Sequence, residues 1–139
     1  MATNMKMSLH AAIGAILSVY AVYVEHKVAH KPVDEDFSAL CDIESIGASC
    51  SAVFQLPEGR MLSFFGLVQA GSILDVPNAV LGILYYSLWL TVMTSLPQIL
   101  RLVIASLAMA SSIFLATKLF LLSELCLLCL STHVINARL

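Results

Sequence analysis

From Asn78 to Leu100 the chain carries no charged side chain, and from Met7 to Val24 it carries none either. A membrane-crossing helix needs about 20 largely apolar residues, because each residue rises ~1.5 Å against a hydrocarbon core of ~30 Å. Within that core no water bonds the backbone, so an isolated apolar run of this length is confined to a helix. With 60% hydrophobic residues, 12% charged residues and a mean hydropathy of +0.93, the whole chain departs from the balance of a soluble domain. It is read as an integral membrane protein. Its 139 residues suit a single domain, 1–139, with no room for a separate soluble catalytic domain, so any chemistry belongs in or at the bilayer. A net charge of −2 without a basic stripe excludes a nucleic-acid partner.

Four passes are expected, at about 7–26, 78–97, 101–123 and 124–139, giving an all-α bundle of four transmembrane helices; the last is short by about one turn. Pro97 is expected to loosen the end of the second helix, and Lys118 to snorkel from the third toward the interface. Lys6 before an apolar run resembles the basic end of a signal peptide, but the run continues to Val24 without a clear small-residue cleavage site, which favours a retained anchor. Small residues at four-residue spacing on the third helix, Ala108 with Ser112 and Ser106 with Ala110, invite close approach of a neighbour.

Charge sets the orientation. The side holding both termini and the tight turn between the second and third passes carries Lys6, Arg101 and Arg138 and no acid. The long loop 27–77 opposes Lys27, Lys31 and Arg60 to Asp34, Glu35, Asp36, Asp42, Glu44, Glu58 and Asp75. Positive charge stays cytosolic, so this loop is assigned to the luminal side. Within it, Met61 to Val68 is strongly apolar but too short to span, and is read as a half-helix lying on the membrane surface and capping the bundle.

The four cysteines fall into two unlike pairs. Cys126 and Cys129 form a CxxC motif where the fourth helix begins, and a helix N-terminus favours the thiolate on which disulfide exchange depends. Cys126 is therefore assigned to exchange with an incoming thiol and Cys129, one turn deeper, to meet a lipid-soluble substrate. Cys41 and Cys50 lie in the acidic loop. Closing that short loop, worth roughly 2–3 kcal/mol on the chain-entropy model, taken by itself favours a structural clasp, while the small Gly47-Ala48-Ser49 stretch speaks for a swinging shuttle. Two buried cysteines used as small hydrophobes, or a zinc site built from all four sulfurs, are the plainer alternatives; unlike pairs, one in lipid, argue against zinc. Asn78 directly after Pro77 is explained as an N-cap, yet its amide could also donate to a quinone carbonyl. Tyr85, Tyr86 and Trp89 are assigned to packing or anchoring, and His133 to a local hydrogen bond or to proton transfer.

The ordered set SALCD (38–42), SCSAVF (49–54), FGLV (65–68), SIL (72–74), PNAVLGILYY (77–86) and CLLC (126–129) resembles the vitamin K epoxide reductase family over about 20–136. The resemblance implies that Cys126 and Cys129 are the catalytic pair and that Cys41 and Cys50 relay electrons from a thioredoxin-like luminal thiol oxidoreductase. It implies further that Phe54 and Asn78 hold the naphthoquinone ring and its carbonyl, with His133 at the second quinone oxygen, where the animal enzymes usually have tyrosine. Vitamin K quinone or epoxide is then the substrate, with no tightly bound cofactor and no metal, in the endoplasmic reticulum membrane with the active site luminal. A quinone-linked disulfide-forming oxidase of the same architecture is the nearest alternative, and a non-enzymatic tetraspanning structural protein a distant one.

Overall fold

The computed structural model describes residues 2–30 and 37–139, so the loop charges Lys31, Asp34, Glu35 and Asp36 lie outside the described residues. Among the described residues the chain is helical, with isolated β-bridges and no strand. Helix α1 (Ala2–Ala29) carries His26 and Lys27 in its last turn, where positive groups suit the negative end of the helix dipole. One-turn helices α2 (Cys50–Val53) and α3 (Met61–Phe64) punctuate the long loop. Helices α4 (Asn78–Thr91), α5 (Gln98–Leu121) and α6 (Leu127–Asn136) follow.

By length and apolarity two stretches can cross a membrane, Met5–Ala29 and Gln98–Leu121, while α4 and α6 are apolar but shorter. The second helix is shorter than the uncharged run suggests because it is capped at Val92 and the chain passes through a 3₁₀ turn, Met93–Ser95. Pro97 does not loosen that helix; it starts the next one. Proline drives the preceding residue into extended backbone, seen at Leu96 (φ −75°, ψ 149°), and its missing N–H costs nothing at a helix start. The expected half-helix 61–68 also stops early, at Phe64. Gly66 (φ 70°) adopts the left-handed conformation, while Gly66 N–H and Leu67 N–H donate back to Ser63 and Leu62 carbonyls at 2.9 Å each, a Schellman closure. The same closure ends α5, with Ser123 (φ 56°) in the left-handed position and Glu124 N–H donating to Leu119 O at 3.0 Å.

Packing of α1 on α4 dominates, and α6 lies against both α1 and α5. α1 and α4 approach closely at two glycines: a Cβ on Gly14 would sit 2.5 Å from the Tyr86 ring, and one on Gly82 would sit 2.7 Å from Ser18 Oγ. Ser112, one of the small residues expected to admit a neighbour, is buried and accepts a hydrogen bond from Asn136 Nδ2 of α6 at 2.7 Å. Asn136 Oδ1 in turn accepts from the buried Tyr86 hydroxyl at 2.7 Å, so one polar chain joins α4, α5 and α6. The apolar core has two centres. One holds Val24, Val53, Leu119 and Leu128 together with Cys50 and Cys126; the other holds Ala11, Trp89 and Met93 toward the opposite end.

Candidate redox site and cavity

The site begins at the N-terminus of α6. Cys126 is the N-cap, in extended backbone (φ −116°, ψ 103°), and its sulfur accepts from Cys129 N–H at 3.2 Å. This is the position that stabilises a thiolate, as the sequence suggested. Cys126 and Cys129 are joined as a disulfide with Cα atoms 5.2 Å apart, and Cys41 and Cys50 as another with Cα atoms 5.8 Å apart. Both separations lie in the ordinary disulfide range.

The two pairs meet. Cys50 Sγ lies 3.7 Å from Cys126 Sγ, and both cysteines are 0% exposed. Main-chain bonds create this encounter. Ile43 and Ala48 exchange hydrogen bonds of 2.8 and 3.1 Å across a turn containing Gly47 (φ 66°), and Ala48 also bridges in parallel to Leu125, with Ser49 N–H donating to Leu125 O at 2.9 Å. Ser49 then caps α2 by accepting Ala52 N–H at 3.2 Å. The Gly47-Ala48-Ser49 stretch expected to swing is thus pinned beside the CxxC, with the Cys50 sulfur already against Cys126.

Asp42 braces the other side of the loop. Its carboxylate accepts Ala39 N–H at 2.8 Å, Ser51 N–H at 3.0 Å and the Ser51 hydroxyl at 2.5 Å. Partial burial pushes this carboxyl up, but the hydrogen bonds from Ser51, Ala39 and Cys50 outweigh burial and hold it below the usual aspartate value. Cys41, Asp42 and Cys50 offer ligand atoms within 4.8 Å of one another, although both sulfurs are here committed to the disulfide.

Beneath the sulfurs lies a cavity of about 390 Å³, lined by Cys129, Phe54, Asn78 and His133 and walled largely by aliphatic side chains of α4 and α5. Cys129, expected to meet a lipid-soluble substrate, and the three residues expected to hold it thus line one cavity. His133 follows Cys129 by one helical turn on the same face, and neither ring nitrogen has a protein partner. Phe54 lines the cavity as the residue closing α2. Asn78 lines it too, but not as the N-cap: Pro77 holds that place. Its Oδ1 accepts Met61 N–H at 2.9 Å and its Nδ2 donates to Glu58 O at 2.7 Å, an arrangement that fixes the amide orientation and leaves one Nδ2 proton uncommitted.

The roof of the cavity was not foreseen from sequence. Glu58 pairs with Lys118 at 3.3 Å, and Arg60 pairs with Glu25 at 3.4 Å and bonds the Asp75 carbonyl. Lys118 reaches from α5 to the loop, and its ammonium sits 5.3 Å from the Phe64 ring and 5.8 Å from the Phe114 ring. Asp75 accepts Gly71 N–H at 2.8 Å, and that bond, ahead of the nearby Arg60 charge, holds its carboxyl below the usual value. The only advance signal was a lone lysine in an apolar helix, opposite a loop with acids to spare.

Comparison with known proteins bears on this geometry. The model of the "Vitamin K epoxide reductase family" matches residues 6–139. The rat protein "Vitamin K epoxide reductase complex subunit 1" is 36% identical over 132 residues, covering 89% of this chain and 78% of the relative. Its mouse counterpart is 37% identical over 131 residues, covering 88% and 77%.

Proposed function

The chain belongs to the vitamin K epoxide reductase family, as an oxidoreductase, and we propose that it reduces vitamin K epoxide, vitamin K quinone or both with electrons passed from one cysteine pair to the other. The observation that carries this reading is the 3.7 Å contact between Cys50 and Cys126 sulfurs, with Cys129 opening on an apolar cavity. A luminal dithiol partner of the thioredoxin type reduces the Cys41–Cys50 disulfide and is itself oxidised. Cys50 thiolate attacks Cys126, and Cys129 leaves as a thiolate. Cys41 then resolves the Cys50–Cys126 bond, restoring the loop disulfide and freeing the Cys126 thiol.

Cys129 thiolate attacks the bound ring. Cys126 attacks the resulting thioether sulfur, re-forming the CxxC disulfide and leaving the electron pair on the substrate. The two thiol protons balance the reaction: epoxide yields quinone and water, and quinone yields hydroquinone. The uncommitted Nδ2 proton of Asn78 stabilises the developing oxyanion, Phe54 holds the ring face, and His133 bonds the second oxygen. In this reading α1, α4, α5 and α6 all cross the endoplasmic reticulum membrane as one domain, with the 27–77 loop luminal and its apolar α3 segment on the bilayer surface.

The test is microsomal reduction of vitamin K epoxide with a small dithiol, wild type against Cys129→Ala. The substitution should abolish turnover with every reductant, and retained activity dismisses the assignment. Acceptance of plain quinone with refusal of epoxide would assign the chain to quinone-linked disulfide formation.

A further inference from the structure

The four sulfurs differ in who can reach them. Cys50 and Cys126 are fully buried, and Cys129 faces the cavity, whereas Cys41 is partly exposed on the loop. A protein thiol arriving from water therefore has one point of attack on the relay disulfide, the Cys41 sulfur, with Cys50 as the leaving thiolate. The short loop that carries that sulfur exposes apolar side chains on either side of it in the chain. Leu40 is 88% exposed, Ile46 54% and Ile43 37%.

These side chains are carried on a braced scaffold. Leu40 N–H donates to the Tyr20 hydroxyl at 2.9 Å, Ile43 is bonded to Ala48, and Ile46 closes a 3₁₀ turn over 44–46 with its N–H on Ile43 O at 3.2 Å. Exposed aliphatic groups on a rigid frame around a reactive bond have the character of interface anchors, which gain most of their energy from a few desolvated side chains. Lipid would cover the same groups, but it would cover Cys41 with them and leave no sulfur for a water-borne thiol.

Resting on the relay reading above, we propose that Leu40, Ile43 and Ile46 form the docking platform for the reducing partner, a thiol-disulfide oxidoreductase whose exposed cysteine is ringed by apolar surface. Docking there brings the partner's thiolate onto the Cys41 sulfur. A mixed disulfide forms and Cys50 departs as a thiolate beside Cys126. The partner's second thiol then releases Cys41 as a thiol, and the partner leaves oxidised by two electrons.

The experiment uses the full chain in membranes, comparing wild type, Leu40→Ser and the triple variant Leu40→Ser/Ile43→Ser/Ile46→Ser. Turnover of vitamin K epoxide is driven either by reduced thioredoxin or by a membrane-permeant dithiol. The triple variant should raise KM for thioredoxin at least tenfold, with Leu40→Ser alone intermediate, while dithiol-driven turnover stays within twofold of wild type. The yield of mixed disulfide between Cys41 and a thioredoxin lacking its resolving cysteine should fall in parallel. An unchanged thioredoxin KM overturns the proposal, as does equal loss with both reductants, which would assign the patch to lipid contact or folding. Failure of wild type to turn over even with dithiol sinks the proposed reductase activity instead, a result the mixed-disulfide yield does not depend on.

Discussion

Replacing Asp42 by asparagine tests whether the loop that carries Cys41 and Cys50 is held by charge. The carboxylate receives three donors, Ala39 N–H, Ser51 N–H and the Ser51 hydroxyl, at 2.8, 3.0 and 2.5 Å. Asparagine keeps one acceptor oxygen and turns an NH₂ group toward the remaining donors. The Ser51 hydroxyl can rotate and accept from it, but Ala39 N–H cannot, so one backbone donor loses its acceptor. A hydrogen bond to a charged group contributes roughly 1.5–3 kcal/mol net, and at a partly exposed site about 1–2 kcal/mol is the reasonable share. That corresponds to a factor of roughly 5–30 in the local opening equilibrium of the loop. Amide hydrogen exchange at Ala39 and Ser51 reads this directly, and protection at both should fall by that factor. Thioredoxin-driven turnover should fall as well, while a dithiol acting directly on Cys126–Cys129 should still support the reaction. Unchanged protection at Ser51 and Ala39 would refute the reasoning, since it would mean that the carboxylate bonds do not restrain the loop.

Asn136→Ala removes the link between the Tyr86 hydroxyl and Ser112, leaving buried polar groups short of a partner; a loss of about 1–3 kcal/mol is expected in detergent-solubilised thermal unfolding. Gly14→Ala should destabilise by about 1–3 kcal/mol through the clash with Tyr86, despite alanine's better helix propensity, and a raised Tm would disprove the close approach of α1 and α4. Asp42 and Asp75 both titrate below the ordinary aspartate value of about 4, so their stabilisation is complete above that pH and disappears as pH falls through the lowered values. Acid titration followed by the loop's amide NMR resonances in an Asp42→Asn background should show a shallower loss than wild type.

Much of this site was legible in the chain because its determinants are local. A cysteine at the start of an apolar helix announces an N-cap thiol, and His133 follows Cys129 at the interval that puts both on one face. What could not be read is pairing between distant segments. Nothing in the composition of Gly47-Ala48-Ser49 says that Ala48 bridges to Leu125, so a pinned segment looked mobile. Likewise Lys118 carries no mark of its distant partner Glu58, and Asn78 looked like a cap because the bonds that occupy its amide come from 58–61, far along the loop. Helix ends failed for a different reason: hydropathy does not register the left-handed residue at Gly66 or the extended backbone that Pro97 imposes on Leu96.

The stitch between Ala48, Ser49 and Leu125 uses peptide groups alone. The spacing between the Cys50 and Cys126 sulfurs is accordingly anchored by main-chain connectivity, while the Ser49 side chain adds the cap on the helix that begins at Cys50, so proline at Ser49 would delete the amide that ties the two segments together.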